Sequence, residues 1–170
     1  METVVIATTE TKKESQNRPG LYELTEGKPD ALVIHCSDPR FQSAFHDFLH
    51  DELIIKMPAV IAVPGSVGSF GVQSFLPKNW YTLKNQIEFM AKHNNFPRVI
   101  LINHDDCKGY AQIAHLFRGA KSLVSEQRKH LFALAGFIQK EFLSGARFEL
   151  YQAKIVNNGD KEYVNFERVV

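Results

Sequence analysis

Two short runs of consecutive apolar residues, A-L-V-I at 31–34 and V-I-L-I at 99–102, give the chain its frame. Neither alternates with polar residues, which predicts strands buried on both faces of a parallel sheet. Polar residues capable of chemistry follow each run at once: H-C-S-D-P-R after the first and N-H-D-D-C-K-G after the second. After the first, Phe41, Ala44, Phe45, Phe48 and Leu49 recur at helical spacing, with Asp38 as N-cap and Pro39 at the first helical position. Residues 53–63 are apolar but split by Lys56 and Pro58, which predicts an irregular or edge strand.

Residues 64–71, P-G-S-V-G-S-F-G, read as a glycine-rich loop. They match neither the phosphate-cradling pattern nor a dinucleotide fingerprint, which argues against nucleotide binding. Leu83, Ile87, Met90 and Ala91 predict a helix that ends near Asn94 and delivers the chain into the second apolar run. Ile113, Leu116 and Phe117 suggest a short helix, and Val124, Leu131, Leu134, Ala135, Ile138 and Phe142 a longer one ending at Gly145. Phe148 and Leu150 then alternate on one phase, and Tyr151, Ala153 and Ile155 on the other, which suggests a bulge near Leu150. Asn158-Gly159 is a hairpin turn signal before a last strand over 161–170. The order predicts an α/β fold: a mostly parallel central sheet flanked by helices, with an antiparallel C-terminal edge hairpin. Residues 1–25 read as a polar N-terminal arm, and 26–170 as a single α/β domain.

Composition narrows the function classes. Hydrophobic residues at 44% and charged residues at 23% are ordinary globular values, and a net charge of +1 points to neither nucleic acid nor an anionic membrane surface. No apolar run approaches the roughly 20 residues that span a bilayer. The first residues lack the basic and apolar regions of a signal peptide, so a cytoplasmic location is expected. In a reducing compartment the two cysteines, Cys36 and Cys107, point to metal binding or catalysis before a disulfide.

Cys36, His104 and Cys107 form a three-ligand set suited to Zn²⁺, because thiolate and imidazole match this borderline-soft ion. Three protein ligands leave the fourth tetrahedral position free, as catalytic zinc requires, unless Asp38 or Asp106 closes it. Asp38 and Arg40 follow Cys36 closely enough to reach whatever fills that position. The carboxylate can accept from water there, and the guanidinium can hold it ionised. The plainer alternative is a helix cap paired with an arginine. His46, His50, His93, His115 and His130 fall on predicted helices and read as surface or packing residues, while His35 should face away from Cys36.

C-x-D-x-R at residues 36–40 followed by H-x-x-C at 104–107 resembles the β-class carbonic anhydrases. D-A-L-V-I-H-C-S-D-P-R and Q-I-E-F-M-A-K-H-N-N-F-P-R-V-I-L-I-N-H-D-D-C read like that family's equivalent segments, and the similarity covers roughly residues 26–170. The resemblance implies that Cys36, His104 and Cys107 bind zinc and that Asp38 and Arg40 form a dyad beside it. It implies reversible hydration of CO₂ to bicarbonate through metal-bound hydroxide, in a homodimer or higher homo-oligomer. The chain differs from the family's usual pattern at Lys108, where a glycine is usual, in the loop from Ala62, and at Glu26-Gly27-Lys28-Pro29 before the first strand. These differences motivate two alternatives. One is a zinc-binding homologue without CO₂ activity, acting as a regulatory or binding module. The other is a hydrolase of another small substrate such as COS or CS₂.

Overall fold

The computed structural model describes residues 24–117 and 122–170, so the N-terminal arm expected over 1–25 lies almost wholly outside the described residues. The two apolar runs are β1 (Ala31–Cys36) and β3 (Arg98–His104), buried along their whole length except at Arg98. With β2 (Pro58–Val63), β4 (Arg147–Asn158) and β5 (Lys161–Arg168) they form one sheet in the order β2-β1-β3-β4-β5. The first four strands run parallel and β5 returns antiparallel along β4, giving the α/β sheet with an antiparallel edge that the order of elements predicts.

Alternation along β1 and β3 divides the core in two, which is why these strands carry no polar phase. Leu32, Ile34, Val99 and Leu101 pack against Trp80, Leu83 and Ile87 of α3 (Pro77–His93), and against Leu131, Leu134 and Ile138 of α5 (Leu123–Glu141). Ala31, Val33, Ile100 and Ile102 face the other way, onto Phe41, Phe45, Phe48 and Leu49. Burying each of the larger side chains contributes about 1.5–3 kcal/mol, so the strands that carry the site are firmly anchored in the core.

The helical stretch after β1 opens with a 3₁₀ turn at Pro39–Phe41, capped by Asp38 with Pro39 in the first turn as expected. It continues as α1 (Gln42–Asp47) and closes in a π-helical turn at Phe48–Glu52, which the apolar spacing did not anticipate. There the Leu53 N–H reaches back to the Phe48 carbonyl at 3.0 Å, while the Leu49 carbonyl takes the Ile55 N–H at 2.8 Å. Residues 53–57 are therefore a connection, and only Pro58–Val63 is strand, at the sheet edge where a proline is tolerated.

Two expectations are corrected. Residues 64–71 are not loop throughout, because α2 (Gly68–Gly71) forms a helical turn within them. The suggested bulge near Leu150 is absent from the register, since β4 pairs with β3 residue for residue from Arg147 to Ala153. The phase switch arises because β4 is buried on both faces: Leu150 belongs to one core and Tyr151 and Ala153 to the other. The short helix begins earlier than its apolar residues suggest. It is α4 (Lys108–Ile113), starting directly after Cys107 and followed by a 3₁₀ turn at Ala114–Leu116.

From β1 the chain goes to β2 on one side, and later enters β3 on the other side of β1. The carboxyl ends of β1 and β3 thus flank a topological switch point, the crevice where open α/β sheets hold ligands. Among the described residues, no helix is long and apolar enough to cross a membrane.

Candidate metal centre

Cys36 ends β1, His104 ends β3, and Cys107 is the residue before α4. All three are buried, and their ligand atoms lie within 4.8 Å of one another. The two sulfurs are 3.9 Å apart. His104 Nδ1 lies 2.7 Å from the Asp105 carbonyl oxygen, which can only accept, so in the neutral ring Nδ1 carries the hydrogen and Nε2 the lone pair. That Nε2 is buried and has no hydrogen-bond partner. A buried nitrogen lone pair left bare beside two sulfurs is costly as a resting arrangement and suits a soft cation. The residues present fit Zn²⁺.

Cys36 is the sulfur prepared for negative charge. The hydrogen bond the two sulfurs share pulls the Cys36 thiol far below its ordinary range and pushes Cys107 up, so one proton serves the pair. Burial opposes ionisation of Cys36, while the N–H groups of Gly65 and Asp38 favour it. The Gly65 amide donates to Cys36 Sγ at 3.3 Å. Gly65 takes φ +78, a conformation that glycine adopts without strain, and so aims its N–H at the sulfur. Ser66, also at positive φ, anchors the turn by donating from Oγ to the Ile102 carbonyl at 2.8 Å.

Asp38 and Arg40 are brought together as the motif suggests, and the helix-cap reading holds at the same time. Asp38 Oδ1 accepts from the Arg40 backbone N–H at 3.0 Å and from Arg40 Nε at 3.1 Å; Oδ2 accepts from Arg40 Nη2 at 2.8 Å. Arg40 holds the Asp38 carboxyl at about 2, well below the usual carboxylate range. Arg40 Nη1 also donates to Asp106 Oδ2 at 3.0 Å, tying the segment after β1 to the turn between His104 and Cys107. Neither aspartate belongs to the ligand cluster, and the Asp106 side chain is largely exposed. A cavity of about 390 Å³ opens beside Cys36, walled by Asp38, Arg40, Pro64, Gly65, Lys108 and Gly109.

The remaining histidines divide as expected. His46, His93 and His115 are exposed and His50 is half-buried, while His35 packs on Phe45, with ring centroids 4.5 Å apart, in the core opposite the cysteines. His130 is buried beside Tyr110, whose hydroxyl lies 3.2 Å from its Nδ1. Sequence reasoning missed Gly65, Gly109, Gln127 and Gln152. For Gln127 a signal existed: it lies four residues before Leu131, on the same helical stripe as Leu134 and Ile138, and is buried with them.

No family model matches the chain, and no curated protein matches it. A solved structure to which it is similar is β-carbonic anhydrase isoform I of the protozoan Trichomonas vaginalis, at 12% identity and a TM-score of 0.31, over 85% of this chain and 86% of that one.

Proposed function

We propose that Cys36, His104 and Cys107 hold a zinc ion whose fourth position faces the cavity, and that the protein reversibly hydrates CO₂ to bicarbonate. The observation that carries this reading is the bare, buried Nε2 of His104 beside two sulfurs 3.9 Å apart, with Asp38 in the wall of the adjoining cavity. The C-x-D-x-R and H-x-x-C motifs support the choice of reaction. When bound, zinc supplies a Lewis acid that makes hydroxide available near neutral pH.

The chain's own residues do the rest. A carboxylate has about four lone-pair sites. Arg40 fills two on Oδ1 of Asp38 and one on Oδ2, which leaves one on Oδ2 for a water hydrogen in the cavity. Asp38 orients that water, and Arg40 keeps the carboxylate ionised and fixed. The buried sulfurs and the Gly65 N–H hold negative charge at the ligands without solvent. The homo-oligomer implied by the motif resemblance and the cytoplasmic location expected from the first residues belong to the same reading.

Metal content and CO₂ hydration, measured on one preparation, test it. The wild type should carry one zinc per chain and hydrate CO₂, and Cys36→Ser should lose both. A Cys36→Ser protein that keeps stoichiometric zinc and full activity overturns the reading. Lys108 in the cavity wall favours a second reading, a zinc-binding module without hydration activity. Full zinc occupancy without turnover would select it.

A further inference from the structure

Asn103, His104 and Asp105 carry the chain out of β3 toward Cys107, and one buried residue of α5 holds this passage. Gln127 Nε2 donates to the His104 carbonyl at 3.0 Å, and the Gln127 main-chain carbonyl accepts from Asn103 Nδ2 at 3.0 Å. Gln127 Oε1 in turn accepts from Nε2 of Gln152 on β4 at 2.9 Å, and that same Nε2 reaches Asp105 Oδ1 at 3.1 Å. From the sheet side, the Asp105 N–H donates to the Ala153 carbonyl at 2.9 Å. The peptide unit joining His104 to Asp105 is therefore pinned at its C=O by Gln127 and at its N–H by Ala153. This unit sets where the Asp105 carbonyl stands, and that carbonyl orients the His104 ring.

The network is expensive as mere packing. Gln127 and Gln152 are each 3% exposed, and Asn103 Oδ1 and Gln152 Oε1 are buried without partners. Each unpaired buried polar atom costs about 1–3 kcal/mol. An apolar residue at 127 would simply extend the stripe of Leu131, Leu134 and Ile138. What the two amides add is direction: they leave the peptide before Asp105 one orientation.

We infer that Gln127, supported by Gln152, is a positioning residue for His104, fixing the peptide after it so that Nε2 faces the two sulfurs. The assignment rests on the metal-centre reading above. Groups that orient a ligand in this way typically carry about 10–100-fold in metal affinity.

Cobalt(II) titration of the full chain tests it, followed through the thiolate-to-cobalt and d–d absorption bands, with thermal melts of the metal-free proteins alongside. Gln127→Met keeps length and shape while removing both the donor and the acceptor. It should weaken cobalt binding about 10–100-fold and alter the d–d envelope, and lower the metal-free melting temperature because the buried His104 carbonyl loses its donor. Gln152→Met should move both optical readouts in the same direction by less. Wild-type affinity and spectrum in Gln127→Met would overturn the assignment; if that variant fails to fold, wild-type behaviour of Gln152→Met does so. A wild type that develops no thiolate–cobalt bands overturns the metal reading itself, and this assignment with it.

Discussion

Gly109 and Gly65 meet backbone to backbone: a Cβ on Gly109 would lie 2.6 Å from the Gly65 nitrogen and 2.7 Å from its Cα. The same nitrogen donates to Cys36 Sγ. A glycine in the first turn of α4, just past one cysteine, thus makes room for the amide that stabilises the other. Gly109→Ala should push the turn at 64–66 away from Cys36 and break that hydrogen bond. A competition titration with a zinc chelator should show affinity lowered about tenfold or more, and urea unfolding a loss of about 1–3 kcal/mol. Unchanged zinc affinity would show that the Gly65 amide contributes nothing to the thiolate.

Asp38→Asn separates the two roles of Asp38. Asparagine caps a helix as well as aspartate, so the turn at Pro39–Phe41 should persist. The charge that Arg40 holds and the water-orienting carboxylate are lost. Zinc content should stay at one per chain while the CO₂ hydration rate falls by about 10²-fold. Loss of zinc together with activity would instead make Asp38 a determinant of the metal site.

Gly71 marks a second tight contact, one side chain removed from the two cysteines. A Cβ there would stand 2.0 Å from the His130 ring, which is enclosed by Tyr110 and Phe117 as well. Gly71→Ala should cost about 1–3 kcal/mol in urea unfolding while zinc stoichiometry is retained. Wild-type stability would mean that the ring moves aside freely.

Glu149 supplies a pH dependence independent of the metal. Burial pushes its carboxyl up, but Arg98 Nε at 2.7 Å and Arg147 Nη2 at 2.9 Å outweigh burial and leave it below the ordinary value. Tyr151 also donates to it, at 3.2 Å. A carboxyl depressed in the folded state takes up protons more readily when unfolded. Its stabilising contribution is therefore complete above the unfolded value of about 4.3 and is lost as pH falls through the lower folded one. Urea midpoints measured from pH 6 down to pH 3 should fall for the wild type, and less steeply for Glu149→Gln. Parallel profiles would remove Glu149 from the acid response.

Much of this architecture was legible locally. The unbroken apolar stretches at 31–34 and 99–102 identified the two central strands, because a strand buried on both faces needs no polar phase. Cys36, His104 and Cys107 stood out because each lies at or just beyond the carboxyl end of a strand, and the fold brings these three ligand atoms together. What escaped was non-local. The contact of Gly109 with Gly65 joins residues 44 positions apart, and nothing in either neighbourhood encodes it. The phase switch at Leu150 resembled a bulge because alternation cannot say that both faces of β4 are covered. Gln127 stood in an apolar stripe as a visible exception, but its partners lie on β3 and β4, which only the folded chain brings to it.

We propose that the pocket at the ends of β1 and β3 holds a zinc ion and hydrates CO₂. Stopped-flow CO₂ hydration on protein with measured zinc content tests it most directly. The expected result is a rate above the buffer reaction that scales with zinc occupancy and disappears in Cys36→Ser. Fully zinc-loaded wild-type protein that leaves the buffer rate unchanged would contradict it.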